Sequence, residues 1–333
     1  MNVLFLHQAN AAFEETDFQI LKKNFNCREI PIYRDVLFKI FPVIKAIRKT
    51  DIIFCWFAYR AALIPLVIAK IFKKKILIVM GGWDCANAPE IDYGAMRRGY
   101  RFLASRMITR YIANLADKII AISEYNRGEI IKNLGISPGK ICLIYCGVNI
   151  QCCENGDKDN LILTVGRVSK SNLKRKGLGT FIKIAKMLPE LKFVLVGHID
   201  KAVKDYLTRI IPKNLDATGF VSEEELRSFY RRAKVYVQVS YHEQFGCALA
   251  EAMAHKCVPV ITDRAALPEV VEDAGYRVPY GDAAKSVEAI LMALDDNKRG
   301  EMAREKIIRL FSLERREKDI VELINSLVQT KII

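Results

Sequence analysis

The sequence predicts an α/β protein made of two halves, each a parallel sheet covered by helices. Three observations carry that prediction. Short β-branched and apolar runs alternate with helix-forming stretches along the whole chain. Several runs are apolar at every position, as strands buried on both faces are. A polar, glycine-containing segment, 152–160, separates two halves that repeat the same grammar. The chain's 333 residues suffice for two domains with substantial cores, and contents of 51% hydrophobic and 27% charged residues are globular values.

In the first half, strands are expected at 2–6, 28–32, 51–56, 75–80, 118–122 and 141–145, alternating with helical stretches. The opening Met1-Asn-Val-Leu-Phe-Leu6 lacks the basic start and small-residue cleavage site of a signal peptide, and reads as a buried strand. Residues 52–72 are apolar enough, and long enough, to raise the question of a membrane span. Arg60 and Pro65 interrupt them, and the segment divides into a strand at 52–56, a turn, and a helix at 61–72, which favours buried α/β structure. In the second half, strands are expected at 160–165, 192–196, 235–239 and 257–261, with helices at 181–188, 223–233 and 248–255. Ser222 with Glu225 has the spacing of a capping box. Residues 313–333 read as an amphipathic helix, so the chain divides into 1–151, 152–312 and 313–333.

Charge is unevenly placed. Residues 1–150 hold 22 Lys/Arg against 12 Asp/Glu, a net of +10 out of the total +14. The excess lies at Lys73-Lys-Lys75 and along Arg97, Arg98, Arg101, Arg106 and Arg110, whose spacing suits one helix face. Such a face is either simply solvated or meets anionic lipid or a phosphate-bearing acceptor. No recognition motif accompanies the charge, so nucleic acid is not expected as a partner. Nine cysteines without CxxC pairs suggest neither zinc nor a disulfide framework; a reducing cytoplasm is the expected location, with peripheral contact at the membrane face if the basic surface is used.

The richest stretch is Ser240-Tyr-His-Glu-Gln-Phe-Gly-Cys-Ala-Leu-Ala-Glu251. An apolar strand precedes it and helix-forming residues follow Gly246, so Glu243 lies in a tight turn and Glu251 inside a helix. The helix N-terminus offers unpaired N–H groups to an anion, and the two acids offer acceptors to hydroxyls on either side of it. A second strand ends at Gly166-Arg167 and leads into the basic loop Ser169-Lys-Ser-Asn-Leu-Lys-Arg-Lys176-Gly177. Arginine supplies a forked donor and lysine a mobile point charge, complementary chemistry for a diphosphate. Val196-Gly197-His198 and Gly219-Phe220 mark two further strand-end turns.

Taken together, Gly166-Arg167, Lys176-Gly177, Val196-Gly197, Gly219-Phe220, Glu243-x7-Glu251, Pro259-Val260 and Leu267-Pro-Glu-Val-Val271 resemble the C-terminal domain of GT-B glycosyltransferases of family four, in order over 160–282. The resemblance implies two Rossmann-like domains facing a cleft: an acceptor-binding domain at 1–151, a nucleotide-sugar domain at 152–312, and a final helix crossing back to the first. It implies a retaining, metal-independent enzyme that moves a sugar from a nucleotide diphosphate sugar to an acceptor hydroxyl. Donor-side residues would be Arg167 and Lys176 on the diphosphate, Glu251 on the ribose, Glu243 by the sugar with the Phe245 and Gly246 amides, and Gly197 and Phe220 at neighbouring strand ends. Asp282 fits the end of that domain.

The resemblance implies no cofactor and no metal; the donor would be a UDP- or GDP-sugar and the acceptor a glycan or lipid-linked molecule. The leaving diphosphate would be stabilised by Arg167 and Lys176, with the departing phosphate itself taking the acceptor's proton. On the acceptor side, Gly81-Gly-Trp-Asp84 is similar to an acceptor loop, which makes Gly82, Trp83 and Asp84 candidates together with His7 at the first strand end. Asp84 would either orient the acceptor hydroxyl or cap its own loop.

Three departures stand out: Lys256 and Ala265-Ala266 replace the family's glycines, and the Arg-to-Lys loop is longer, so that Lys174 is an alternative to Lys176. The first half also lacks the glycine-rich loop after its first strand, at His7-Gln-Ala-Asn10. Two other readings compete: a non-catalytic membrane-surface or glycan-binding module of the same fold, and a sugar-nucleotide epimerase or phosphorylase.

Overall fold

The computed structural model describes residues 1–8, 11–32, 40–153 and 157–329. The end of the His7–Asn10 loop, the middle of the 152–160 segment and the last four residues lie outside the described residues. The chain forms two compact units, Gly147–Leu313 and, separately, Met1–Cys146 joined by the segment that begins at Glu314.

The first unit runs β1 (Asn2–His7), α1 (Ala12–Asn24), β2 (Asn26–Pro31), α2 (Ile40–Arg48), β3 (Ile52–Trp56), α3 (Leu63–Ile71), β4 (Lys75–Met80), α4 (Leu103–Leu115), β5 (Lys118–Ala121), α5 (Glu124–Glu129) and β6 (Ile141–Leu143). Its strands lie in the order β2-β1-β3-β4-β5-β6, every neighbouring pair parallel. β3 is buried at every position and β4 at all but its first, which explains their unbroken apolar sequences. The 52–72 segment is thus a central strand followed by α3. Among the described residues no helix is long and apolar enough to cross a membrane.

The second unit runs β7 (Asp159–Val165), α6 (Lys170–Arg175), α7 (Leu178–Met187), β8 (Lys192–Val196), α8 (Lys201–Ile210), β9 (Leu215–Gly219), α9 (Glu223–Arg232), β10 (Ala233–Gln238), α10 (Cys247–Ala254), β11 (Val258–Thr262), α11 (Leu267–Val271), β12 (Tyr276–Val278), α12 (Ala283–Asp295) and α13 (Asn297–Leu310); α14 (Leu313–Gln329) follows. The strand order is β12-β11-β10-β7-β8-β9, again parallel throughout. Both units are Rossmann-like. In each, the connections reverse direction beside the first strand, between β1 and β3 and between β7 and β10. Open α/β sheets bind ligands beyond the carboxyl ends of strands at such a switch point.

Several expectations need correction. Strands β9 and β12 carry no long apolar run because they are sheet edges with half-exposed faces. The basic segment 169–177, expected as a loop, contains the short helix α6, whose N-cap Ser169 accepts from the Asn172 amide. Helix α4 starts only at Leu103, so Arg97 and Arg98 precede it and Arg101 lies in a 3₁₀ turn; Arg106 and Arg110 alone share the helix. By compactness the second unit takes in Gly147 onward, since Val148 is tied to its far end: its amide donates to Phe311 O (2.8 Å) and its carbonyl accepts from the Leu313 amide (2.9 Å).

Helix α14 belongs with the first unit. Arg316, buried, grips Asp17 of α1 through both Nε and a terminal nitrogen (2.6 and 2.7 Å) and also donates to the Ile144 and Tyr145 carbonyls. Glu317 pairs with Lys23 and accepts from Asn24. The Ser222–Glu225 capping box of α9 forms as expected, and Asp282 is the N-cap of α12.

Candidate active site

Around the switch point of the second unit, the ends of β7 and β10 bring together the residues on which the sequence converges. After β10 the chain turns through Ser240 and Glu243 and enters α10 at Gly246, whose φ of 96° is a left-handed conformation that glycine takes without strain. The Lys176 ammonium donates to Glu243 Oε1 at 2.8 Å, and Ser240 Oγ lies 3.5 Å from the same oxygen. Burial on its own would raise the Glu243 carboxyl; the Lys176 ammonium and then the Arg175 guanidinium override it and hold it below the ordinary range. Glu243 is therefore an anion at neutral pH. Helix α6 absorbs the extra length between Arg167 and Lys176, so Lys176 and not Lys174 reaches the carboxylate.

One and a half turns into α10, Glu251 accepts a hydrogen bond from the Tyr230 hydroxyl of α9 at 2.9 Å. Its carboxyl is pushed up to about 7, first by burial and further by Glu223, against the lowering effect of the tyrosine bond. Buried in that condition, Glu251 would be favoured as the carboxylate by further hydrogen-bond donors.

At the end of β7, Arg167 extends into solvent and pairs through Nε with Asp200 Oδ1 (2.8 Å). Gly197 closes β8 against it: a Cβ there would stand 2.3 Å from the Gly166 carbonyl oxygen, so only glycine lets the two strand ends approach. Phe220, just beyond β9, is 83% exposed, an unsupported aromatic ring at a strand end and a ready stacking surface. Phe245 differs from it. Its ring is buried against Phe311, edge to face at 5.2 Å, and so presents no ring face to a ligand.

Of the three residues that stand in place of glycines, Lys256 and Ala265 hold left-handed φ values, 62° and 54°, which glycine takes more readily. Ala266 donates its amide to the Glu243 carbonyl (3.2 Å), so that turn still braces the acid-bearing loop. Sequence reasoning missed Tyr230, Arg175 and Ser240. Only Ser240 carried a usable signal, the Ser-x-x-Glu spacing to Glu243.

In the first unit, the acceptor-side candidates do not form a solvent-facing catalytic set. Asp84 has no exposed surface; Oδ1 accepts from the Gly82 and Cys85 amides and Oδ2 from the Ala58 amide. It caps the turn after β4 and joins it to the turn after β3, the structural one of the two roles expected of it. Burial raises its carboxyl to about 6, against the opposing pull of those amides. His7 is likewise buried, stacked on Phe5, with Nε2 3.4 Å from Glu29 of the edge strand β2. Gly82 is buried, while Trp83 is half-buried beside Tyr59 at 5.8 Å. Among the described residues no group of three His, Cys, Asp or Glu side chains is placed to hold a metal ion.

Comparison with known proteins agrees with this layout. Residues 153–309 match the profile of glycosyl transferases group 1, and residues 3–151 match that of glycosyltransferase family 4. An uncharacterized 41.2 kDa protein in the cps region of Klebsiella pneumoniae is 32% identical over 196 residues, 54% of this chain and 53% of that protein. The N-acetylgalactosamine-N,N'-diacetylbacillosaminyl-diphospho-undecaprenol 4-alpha-N-acetylgalactosaminyltransferase of Campylobacter jejuni is 25% identical over 228 residues, 65% of this chain and 57% of that enzyme. The chain thus spans about half the length of the curated relatives it matches. Among solved structures, Anabaena HepE in complex with UDP and glucose superposes with a TM-score of 0.80 at 16% identity, covering 98% of this chain and all of that one. With both sheets, both profiles and the strand-end motifs in agreement, the chain belongs to the group 1 glycosyltransferases of the GT-B fold.

Proposed function

We propose that the protein is a glycosyltransferase that moves a hexosyl group from a nucleotide diphosphate sugar to an acceptor hydroxyl in glycan biosynthesis, with retention and without a metal. The observation that carries the reading is the Lys176–Glu243 ion pair at the mouth of α10, with Glu251 further along the same helix. The donor diphosphate sits over the first amides of α10, which point at it with the helix's positive end. Lys176 turns from Glu243 to the phosphate or bridges both, and Arg167 exchanges Asp200 for phosphate oxygens. Two cations and a helix terminus then supply the positive charge that a metal would otherwise bring to the leaving group. Glu251, as the carboxylate, holds the ribose hydroxyls, and Phe220 stacks on the base. In a retaining transfer the departing phosphate accepts the acceptor's proton, so no separate base is required.

The donor is a UDP- or GDP-sugar, and the UDP complex of the fold neighbour HepE supports the first of these. The acceptor is a glycan or a lipid-linked sugar, the latter supported by the undecaprenol-linked substrate in the name of the Campylobacter relative. The net +10 of residues 1–150 makes the first unit the side that meets an anionic acceptor or membrane. The test is product analysis with UDP- and GDP-sugars. Stoichiometric release of nucleoside diphosphate with a glycosylated acceptor is expected. A donor converted without release would instead indicate an epimerase, and neither outcome would indicate a binding module.

A further inference from the structure

The end of the second unit's sheet opposite the donor residues holds a basic cavity. Arg167 and Glu243 follow the carboxyl ends of β7 and β10, whereas Lys158 immediately precedes β7, Lys234 is the second residue of β10 and Lys256 lies just before β11. With His255, Asn297 and Glu301, these lysines line a hollow of ≈ 190 Å³. A water takes roughly 30 Å³ in the liquid, so a tetrahedral oxyanion has room. Asn297 and Glu301 come from α13, which approaches closely because Gly300 has no side chain: a Cβ there would stand 2.5 Å from the Lys256 carbonyl oxygen.

The cations in the hollow outnumber the acids. Lys158 is engaged by the protein itself, donating to the Tyr230 and Ala233 carbonyls (3.0 and 2.8 Å) and to Cys257 Sγ (3.6 Å). Among the described residues Lys234 donates to Asn297 Oδ1 alone and Lys256 to Glu301 alone, so each ammonium keeps protons to give. Asp296, which also feels Lys234, is taken up by Arg299 and Tyr276.

His255 adds a group of the opposite kind. Its ring is 5% exposed and stacks on Tyr230 at 5.5 Å. Nδ1 lies 2.9 Å from the Glu251 carbonyl oxygen, which can only accept, so Nδ1 carries the proton. Nε2 is then an acceptor, buried and without a hydrogen-bond partner among the described residues. Burial first, then Lys158, Arg304 and Arg231, hold the imidazole below its ordinary value against the opposing bond to Glu251. Ammonium donors and a nitrogen that seeks a proton thus meet in one place. Monohydrogen phosphate answers both, since its bare oxygens accept and its own O–H donates. Sulfate carries the same charge at pH 8 but has no proton to offer.

We propose that this hollow binds inorganic phosphate in its monohydrogen form, with Lys234 and Lys256 donating to its oxygens and its hydroxyl donating to His255 Nε2. Lys256 exchanges Glu301 for the anion or bridges both. The site is independent of the donor reading.

The test is a phosphate titration of the full chain at pH 8 and constant ionic strength, read by long-range ¹H–¹⁵N NMR of its four histidines, with the His255 signal assigned by its loss in His255→Phe. The Nε2 resonance should shift saturably with phosphate and at least tenfold more weakly with sulfate. Lys256→Gly, whose φ of 62° suits glycine, and Lys234→Gln should each weaken phosphate at least tenfold, with circular dichroism melting in phosphate-free buffer showing that both remain folded. A resonance that phosphate does not move, an equal response to sulfate, or unchanged affinity in both lysine variants would overturn the proposal. Arg167→Ala should leave the titration intact. Loss of the response in that variant would mean that phosphate acts from the donor side, and would overturn it too.

Discussion

Replacing Glu251 with glutamine should make the ligand-free protein more stable at pH 8 than at pH 5, relative to wild type. The carboxyl titrates near 7 in the folded chain against an ordinary value of 4.5. Because the folded-state value is raised, the native protein binds the proton more tightly than the unfolded chain does. The stability linked to that proton is fully present below about 4.5 and is lost as pH rises through about 7. The difference of roughly 2.5 units, at 1.36 kcal/mol each, amounts to about 3 kcal/mol of stability that wild type surrenders across this window. Glutamine has no charge to bury and surrenders none of it.

The assay is urea unfolding of both proteins at pH 5 and pH 8. Effects of the substitution that do not depend on pH, such as a weaker bond from Tyr230, cancel in the double difference. A stability gap that is the same at both pH values would refute the reasoning. The same carboxyl makes donor binding pH-dependent. Ribose hydroxyls favour the ionised form, so UDP affinity should rise as pH increases through about 7 in wild type and stay low and flat in Glu251→Gln.

Other expectations follow from exposure and burial. Arg167→Ala and Phe220→Ala remove exposed side chains, so each should change stability by less than about 0.5 kcal/mol. Calorimetry should show UDP affinity falling about tenfold or more in each, from a lost charged hydrogen bond or a lost stacking surface. Asp84→Ala strands three buried amides and should cost about 2–4 kcal/mol of first-unit stability while leaving UDP binding intact. An Asp84→Ala protein as stable as wild type, yet inactive on an acceptor, would favour its acceptor-orienting role instead. Arg316→Met leaves Asp17 charged and unpaired in the core, where it also accepts from the Trp56 indole, and a loss of about 3–5 kcal/mol should appear in thermal melts.

Central strands were legible because burial on both faces demands unbroken apolar runs, as at 52–56 and 235–239. Of the second unit's edge strands, Leu215–Gly219 was marked only by its Gly219-Phe220 end and Tyr276–Val278 not at all, because an edge places no such demand on composition. The α6 helix escaped notice because its six residues, five of them polar or basic and only Leu173 apolar, read as a solvated loop until Ser169 caps them. Lys256 and Ala265 show the reverse: departures from the glycine pattern at positions that hold a left-handed φ all the same.

By itself, the sequence determined that the chain is a two-unit parallel α/β protein, and it placed acids, cations and glycines at strand ends in one recognisable order. Those are consequences of local pattern and spacing. Partnership was decided by the tertiary structure alone. Folding brought Lys176 across 67 positions to Glu243 and Tyr230 to Glu251, turned the Phe245 ring inward and the Phe220 ring outward, and enclosed Asp84 among amides. A side chain's charge state and accessibility depend on neighbours distant in the chain, and these exist only once the sheets have formed.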